Sequence, residues 1–521
     1  MAFTFQINSD VEFNRDEKLL KKAESFKPQL KFKDVSAKNV VELIKDESKL
    51  TGVGVKPVYS VEELTDRAFK RDDQIILDFG QHNVGKFSID LKHVGSPMDA
   101  PLTLKLKFAE LPAELAADTA DYNGWLSKSW IQEELLHFDT LPVHLELPRR
   151  YSFRYVEISV VDTSPKWQVA FENPVVRAQS SVEYDPSLLK DTGDDELNQI
   201  NKVGLKTLAE CMQEVFEDGP KRDRRLWIGD LRLQALANYA SFDETNIVKY
   251  CLYLFGAMSA KDGRISANVF TGDKLVPDDT FMLDYGMFFV SIMHDYLEKH
   301  SDPEMLSDLF PIAQKQVDYV LGLVDKNGAL PFDEDYPVFV DWSNDFDKTT
   351  SGQAILIYVL KQFIDLTKLA GADTAKYEQA LKLVTDYALN ELYDSEKQFF
   401  VSGPEREVNV SSQVWMVLAG VYDDNAGLMK RTVAELFPVK GIATPYMYHH
   451  ITEALFVAGL KDEAIKLIKS YWGKMVDLGA DTFWEAFNPD QPEYSPYGSP
   501  IVNSYCHAWS CTPVYLFEKY L

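Results

Sequence analysis

The sequence predicts a multidomain α and β protein, with an N-terminal antiparallel β-sandwich over residues 1–185 and an (α/α)6 toroid over residues 190–521. Two observations lead to this prediction. The spacing of apolar residues changes near residue 190 from the alternation of strands to the three- and four-residue spacing of helices. In addition, 521 residues exceed what one ordinary hydrophobic core holds.

The predicted sandwich follows from segments in which polar and apolar residues alternate. Such segments, separated by glycine and proline, are 74–80, 86–92, 102–108, 143–148 and 151–161. The stretch 112–136, which contains Trp125 and Trp130, breaks the alternation. We therefore expect an insertion there that is partly helical.

The predicted toroid follows from about twelve amphipathic segments. They are 195–216, 229–241, 245–260, 282–299, 305–324, 352–370, 375–390, 411–421, 425–437, 444–458, 460–475 and 504–520. Twelve helices close two concentric rings of six. A helical solenoid is the competing arrangement, but the sequence lacks the fixed repeat period that a solenoid needs.

Composition restricts the partners and the location of the protein. The chain has 54 basic and 81 acidic residues and a formal charge of −27, which disfavours nucleic acid and polyanionic substrates. Its four cysteines form neither a zinc pattern nor a disulfide framework. We find neither a signal peptide nor a membrane-spanning apolar run, so we expect a cytoplasmic protein without membrane contact. The sequence leaves a homodimer open.

Candidate catalytic residues lie between the predicted helices, where acidic and aromatic residues cluster. These clusters are 218–230, 277–286, 339–345, 481–490 and 504–510. Loops at one rim of a toroid converge on a central funnel. Hydrolysis of a glycosidic bond needs two carboxyl groups, and aromatic rings can stack on a sugar, although a large aromatic core would explain the same composition. This chemistry requires no metal or organic cofactor, and we expect none.

One of these clusters carries a specific resemblance. DGPKRDRRLWIGD (218–230) resembles the signature D-C-P-T-R-E-R-x-G-W-x-G-D of the family 78 α-L-rhamnosidases. The two match without a gap at Asp218, Pro220, Arg222, Arg224, Trp227, Gly229 and Asp230. The family has its general acid, a glutamate, at the position of Asp223, so the resemblance implies that Asp223 is the acid, on a side chain one methylene shorter.

Further segments resemble family motifs in the same order along the chain. They are DFGQHNVGKFSIDL (78–91), LPRRYSFRYVEI (147–158), LDYG (283–286), VDW (340–342), FWEAF (483–487) and SYCHAWSCTPVYLF (504–517). The resemblance extends over residues 74–521. It implies that Glu485 is the general base and that nine further residues bind the sugar or tune the acid: Asp218, Arg222, Trp227, Asp230, Asp284, Asp341, Trp342, Trp484 and His507.

Structural roles compete with some of these assignments. Asp218 and Asp230 could cap helices or pair with neighbouring arginines. His507 could be a histidine of the core whose ring nitrogens form hydrogen bonds within the protein. We expect Trp509 to pack in the hydrophobic core and not to bind a ligand. Arg222 could hold a neighbouring carboxylate ionised while Asp223 stays protonated.

The resemblance implies an inverting α-L-rhamnosidase that releases terminal non-reducing α-L-rhamnose. In inverting enzymes the two carboxyl groups lie about 6.5–9.5 Å apart. With one β-domain to extend the cleft, small rhamnosides or oligosaccharides are the expected substrates. The alternatives are another (α/α)6 glycosidase, such as an unsaturated glucuronyl hydrolase, and a non-catalytic sugar-binding protein. The first would need a basic pocket, and the second predicts loss of the acid or the base.

Overall fold

A computed structural model describes residues 11–521 as an antiparallel β-domain followed by a helical ring, which confirms the predicted fold class. The strands of the β-domain are β1 (Lys31–Ser36), β2 (Asn39–Lys45), β3 (Val53–Ser60), β4 (Gln74–Gly95), β5 (Leu102–Ala109), β6 (Glu133–Phe138), β7 (Val143–Glu146), β8 (Tyr151–Asp162) and β9 (Trp167–Ser180).

The long strand β4 pairs with four other strands of the β-domain. Its first part pairs with β2 and β8, and its second part pairs with β7 and β9. The pairing with β8 shifts between Asp78 and Asn83, where Gly80 has a φ of 77° that few other residues tolerate. Phe79 and Phe87 lie on either side of this bend and pack in the same core. The predicted strands 74–80 and 86–92 are therefore one bent strand.

The helices are α1 (Glu17–Glu24), α2 (Pro112–Ala116), α3 (Asp195–Cys211), α4 (Ile228–Tyr239), α5 (Thr245–Ala257), α6 (Leu283–Lys299), α7 (Pro303–Leu323), α8 (Thr349–Leu369), α9 (Ala375–Tyr387), α10 (Val410–Leu418), α11 (Asn425–Leu436), α12 (Pro445–Val457), α13 (Lys461–Ile468), α14 (Lys474–Asp477) and α15 (Pro513–Tyr520). Short strand pairs lie between them: β10 (Leu226–Trp227), β11 (Asn268–Phe270), β12 (Val276–Pro277), β13 (Tyr393–Asp394) and β14 (Phe399–Phe400).

Six of these helices form a closed inner ring. Helices α4, α6, α8, α10 and α12 each contact the next, and α15 contacts both α12 and α4. Every residue of α4 is buried, as expected for a helix covered on all sides. The segments that precede the inner helices meet at one end of the ring. This arrangement brings together most of the acidic and aromatic clusters found in the sequence.

Three of the differences between the structure and the sequence prediction concern the helical domain. The predicted helix 504–520 starts only at Pro513, because 504–507 instead pairs with the segment before it, through His507 N to Phe483 O (2.9 Å) and Glu485 N to Ser504 O (3.0 Å). The predicted helix 460–475 is divided by a π-helical turn over 469–473.

The third difference lies at the N-terminal end of the predicted sandwich. Helix α1 packs on α5, and Asn14 N donates to Ser259 O at 2.8 Å, so this part of the chain lies on the helical ring.

The insertion is partly helical, as expected: α2 and two 3₁₀ turns occupy it before β6 begins at Glu133. Within residues 11–521, no helix is both long and apolar enough to span a membrane.

Candidate active site

A cavity of about 660 Å³, including space open to solvent, lies where the inner helices begin. Its wall combines acidic, basic and aromatic side chains from the helical ring with two residues of the β-domain insertion, Trp125 and Leu126. The lining residues are Trp125, Leu126, Asp218, Arg222, Asp223, Trp227, Asp230, Thr280, Met282, Tyr285, Phe339, Trp342, Glu485, Tyr497, His507 and Trp509. Both domains therefore build the candidate site.

The loop 218–227, which precedes α4, is closed by its first residue. Asp218 N donates to Arg225 O at 3.1 Å, and Arg225 N donates to the Asp218 carboxylate at 3.0 Å. The amide of Asp223 also points to this carboxylate, at 3.4 Å. A Cβ at Gly219 would lie 2.6 Å from Arg222 O, so the tight turn needs glycine. Asp218 thus shapes the loop that presents Arg222 and Asp223.

Arg222 joins the two candidate catalytic carboxyl groups. Its Nη1 donates to Asp223 Oδ1 at 3.3 Å, and its Nη2 forms a short hydrogen bond with Glu485 Oε2. Its Nε donates to Val502 O at 3.0 Å, and its guanidinium lies 4.1 Å above the ring of Tyr497. Burial opposes the positive charge, but Glu485 and the other groups around it outweigh burial and raise the pKa of Arg222. The guanidinium remains a cation at the centre of the site.

Glu485 is held from both sides. Its Oε2 accepts from Arg222, and its Oε1 accepts a short hydrogen bond from the hydroxyl of Tyr497. Its backbone is fixed as well, because the indole N–H of Trp509 donates to Glu485 O at 2.9 Å. Burial raises the pKa of Glu485, and the Arg222 charge opposes that rise. The result is a positioned carboxylate of increased basicity.

Asp230 and His507 form a second polar pair in the cavity. Burial and the nearby carboxylate of Glu485 raise the pKa of Asp230 well above its ordinary value, and burial with the Arg222 charge lowers the pKa of His507 well below its own. His507 Nδ1 lies 3.6 Å from Asp230 Oδ1, and neither atom has a hydrogen-bond partner among the described residues. Buried polar atoms of this kind mark a place for a ligand hydroxyl or a water.

The four cavity carboxyl groups differ in their access to solvent. The side chain of Asp223 is 15% exposed, whereas that of Glu485 is 4% exposed and that of Asp230 3% exposed. Burial also raises the pKa of Asp218 well above its ordinary value, and the charge of Asp223 adds to the rise. Asp223 is therefore the carboxyl group nearest the mouth of the cavity.

The cavity brings together eight of the eleven residues predicted from the sequence: Asp218, Arg222, Asp223, Trp227, Asp230, Trp342, Glu485 and His507. The other three lie outside its wall. Asp284 accepts the amides of Phe339 and Val340, both at 3.0 Å, and so holds the segment that carries part of the wall.

Asp341 and Trp484 likewise have supporting positions. The Asp341 carboxylate accepts the amides of Ala443 at 2.9 Å and Thr444 at 3.0 Å. Trp484, next to Glu485 in the chain, is 1% exposed and packs edge-on against Tyr505. The side chains of these two residues and of Asp284 do not line the cavity, and their contacts support its walls.

Sequence reasoning missed several residues of the site. Tyr497 lies in a segment without a recognised motif, and nothing in its spacing indicates that its hydroxyl reaches Glu485. Trp509 belongs to the core, as the sequence assigned it, and also lines the cavity. Among the described residues, one group could hold a metal ion, and it lies away from the cavity on α6: His294, Asp295 and Glu298.

Comparisons with known proteins agree on one family. Residues 37–178 match the profile of the glycosyl hydrolase family 78 alpha-rhamnosidase N-terminal domain. Residues 190–521 match that of the bacterial alpha-L-rhamnosidase 6 hairpin glycosidase domain. A search of curated proteins finds no match.

Solved structures show how much of the chain is similar to known proteins. The structure of a rhamnosidase from Klebsiella oxytoca with rhamnose bound is 41% identical, covers 98% of this chain and 100% of its own, and has a TM-score of 0.93. A family 78 rhamnosidase of Bacillus sp. GL1 shares the fold at 19% identity and a TM-score of 0.73, over 89% of this chain and 49% of its own. Streptomyces avermitilis alpha-L-rhamnosidase complexed with L-rhamnose shares it at 17% identity and a TM-score of 0.67, over 95% of this chain and 44% of its own. On the domain matches and the 41% identity over nearly its whole length, the chain belongs to glycosyl hydrolase family 78, the α-L-rhamnosidase family.

Proposed function

We propose that this protein is an α-L-rhamnosidase that removes terminal non-reducing α-L-rhamnose from small rhamnosides or oligosaccharides by an inverting mechanism, with Asp223 as general acid and Glu485 as general base. The observation that carries the proposal is that both carboxyl groups bind the one guanidinium of Arg222 within a single cavity. The rhamnose bound in the 41% identical relative supports the identity of the sugar.

The surroundings of Glu485 suit a general base. Hydrogen bonds from the Arg222 cation and from the hydroxyl of Tyr497 favour its ionised form, while burial raises its pKa. In the proposed step, a water held against Glu485 gives up a proton to this carboxylate as its oxygen attacks the anomeric carbon. Attack from the face opposite the leaving group inverts the configuration.

The position of Asp223 suits a general acid. The acid must reach the glycosidic oxygen, which in an enzyme that releases a terminal sugar lies between the buried sugar and the solvent-facing leaving group. Asp223 is the most exposed of the four carboxyl groups in the cavity, and the loop closed by Asp218 presents it there. Asp230 and His507, with their unpartnered atoms, are placed to bind sugar hydroxyls.

The two alternatives fit the cavity less well. An unsaturated glucuronyl hydrolase must bind a substrate carboxylate, yet Arg222 is the one permanently cationic side chain in the wall formed by the described residues, and two carboxyl groups of the protein already contact it. A non-catalytic sugar-binding protein would not need an acid and a base held on the same cation.

The test compares Asp223→Asn and Glu485→Gln on aryl rhamnosides with leaving groups of graded pKa. We expect kcat/KM to fall by about 10²- to 10⁴-fold, the usual contribution of a general acid or base. The loss in Glu485→Gln should be similar for all substrates. The loss in Asp223→Asn should be smallest for the best leaving groups, because these depart with little protonation. Asp462→Asn, which changes an exposed acid at the start of α13, beyond the end of the inner helix α12, is the matched control.

The stereochemistry is tested separately by proton NMR of the first-formed sugar. Inversion predicts β-L-rhamnose as the initial product, before mutarotation. Initial release of α-L-rhamnose would refute the inverting mechanism. A loss in Asp223→Asn that is equal for all leaving groups would make Asp223 a sugar ligand and not the acid.

A further inference from the structure

A second, larger pocket opens beside the catalytic cavity. This outer pocket encloses about 2150 Å³, including space open to solvent, and it lies where α6 and α8 begin. It shares Trp125, Thr280, Phe339 and Trp342 with the wall of the catalytic cavity. A substrate group that extends out of the catalytic cavity past these shared side chains therefore enters the outer pocket.

Exposed aromatic side chains are concentrated at this pocket. Among residues 11–521 only four aromatic side chains are exposed: Phe32, Trp125, Tyr184 and Phe332. Trp125 (51% exposed) and Phe332 (55% exposed) both line the outer pocket. The indole N–H of Trp125 donates to Pro496 O at 3.1 Å, which fixes the orientation of the ring. Oriented, exposed rings of this kind are a surface on which a flat apolar group can stack.

The charge of the outer pocket is negative. Three carboxyl groups, those of Asp333, Glu334 and Asp335, follow one another in its wall, and the last two are exposed. Lys348 is the one basic residue that the described chain contributes to the wall. Its amine donates to Asp341 O, and burial lowers its pKa. The lysine charge is thus directed into the protein, and the carboxylates determine the potential in the pocket.

We infer that the outer pocket binds the leaving group of the substrate and selects uncharged aromatic leaving groups over anionic ones. The inference rests on the proposed function, since it assigns the part of a rhamnoside that Asp223 would release. The aromatic side chains supply the stacking surface. The run of carboxylates repels a negatively charged group at the same place.

The test uses two fluorogenic substrates with the same coumarin ring system, the α-L-rhamnosides of 4-methylumbelliferone and of 7-hydroxycoumarin-3-carboxylic acid. The first leaving group is neutral and the second carries a carboxylate. Methyl α-L-rhamnoside, which has no aromatic group, serves as the third substrate. Every effect is expressed as the ratio of variant to wild type for one substrate, because this ratio removes differences in intrinsic reactivity.

Phe332→Ala removes an exposed ring that lines only the outer pocket. We expect it to raise KM for the methylumbelliferyl substrate by about 2- to 10-fold, the range of an aromatic contact. Its effect on the methyl rhamnoside should be absent. Phe32→Ala, which removes an equally exposed ring on β1, is the control and should change neither substrate.

Glu334→Gln/Asp335→Asn neutralises the two exposed carboxylates of the pocket. We expect kcat/KM for the carboxylated substrate to rise by about 3-fold or more at 10 mM salt, where charges interact over about 30 Å, and the gain to vanish at 1 M salt, where they interact over about 3 Å. The neutral substrate should be unaffected. Asp462→Asn/Glu518→Gln, which neutralises two exposed acids on α13 and α15 that do not line the pocket, is the matched control.

The outcomes separate this inference from the proposed function. Hydrolysis of none of the three substrates by the wild type would refute the proposed function. Hydrolysis by the wild type, with both outer-pocket variants changing all substrates equally or none, would refute the leaving-group site alone. A salt-independent gain in the charge variant would refute the electrostatic part of the selection.

Discussion

Lys221 connects the β-domain to the loop 218–227, and we predict that replacing it lowers the free energy of unfolding. Its amine is 2% exposed and forms a short ion pair with Glu114 of α2. It also donates to Ile501 O at 3.2 Å and Asn503 O at 2.8 Å. The next residue along the chain is Arg222. One buried cation therefore ties the β-domain insertion to two loops of the candidate active site.

Lys221→Met keeps the length of the side chain and removes only the charge and the hydrogen-bond donors. The carboxylate of Glu114, 4% exposed, then lacks its cation. Removing one partner of a buried ion pair typically destabilises a protein by about 3–5 kcal/mol. Glu114→Gln should cost less, because an amide oxygen can still accept the backbone N–H groups of Glu110 and Leu111, which lie 2.7 and 3.0 Å from the carboxylate.

The assay is urea unfolding followed by tryptophan fluorescence, for the wild type, both single variants and the double variant. We expect the double variant to be more stable than the sum of the single changes predicts, by at least about 1 kcal/mol, since no unpaired carboxylate remains at Glu114. Burial raises the pKa of Glu114. In Lys221→Met this carboxyl should stay protonated to higher pH in the folded than in the unfolded protein, so the variant should lose stability, relative to the wild type, as pH rises above about 4.

A control and a refuting outcome complete the design. Lys382→Met removes an exposed lysine paired with Asp386, and such surface pairs contribute about 0–1 kcal/mol. A loss in Lys221→Met no larger than in this control would refute the role of the buried pair. Additive single changes, within about 0.5 kcal/mol, would show that Lys221 and Glu114 do not act through each other.

Two further predictions concern Asp230 and Gly229, which are buried at the start of α4. Asp230→Asn should lower activity yet increase stability at neutral pH. Burial raises the pKa of Asp230 in the folded protein, so the wild type loses stability as pH rises from about 4, whereas the variant does not. Melting temperatures measured over a pH series should show the variant's advantage widening with pH, and an advantage independent of pH would contradict this account. Gly229→Ala should destabilise by about 1–3 kcal/mol and lower activity, because its Cβ would lie 2.3 Å from the ring of Tyr285. Gly322→Ala on α7, with no atom within 4 Å of the added Cβ, should be neutral or stabilising in the same melting assay.

The helical ring was predictable because its pattern is local. Three- and four-residue spacing reports directly on helices, and eleven of the predicted segments appear as helices, one of them, 460–475, divided by a π-helical turn. The exception, 504–512, contains apolar residues at helical spacing, yet its backbone pairs with the segment around Phe483 and Glu485, a contact that local spacing does not encode. The strands β1, β2, β3, β6 and β9 were missed, because several present a mostly exposed face or lie at an edge of the sheet.

Within the site, the motif located the carboxyl groups and left their surroundings unknown. Asp284 and Asp341 belong to motifs, but folding turns both carboxylates toward backbone amides, where they fix the walls of the cavity. Tyr497 and Trp125 reach the cavity from segments that are irregular in structure. Long-range contacts of such segments depend on how the two domains pack, and no periodicity in the sequence reports on that.

The shared position of Arg222 gives the proposed mechanism a simple electrostatic property. The proposal requires the negative charge to start on Glu485 and the proton to start on Asp223, its general acid. As Glu485 takes a proton from water and Asp223 gives one to the leaving group, the negative charge passes from one carboxyl group to the other. Both groups contact the same guanidinium, so the cation is paired with one carboxylate at the start and with the other at the end. A planar guanidinium can hold two carboxyl groups on separate nitrogens in this way, whereas the point charge of a lysine cannot present the same fixed geometry.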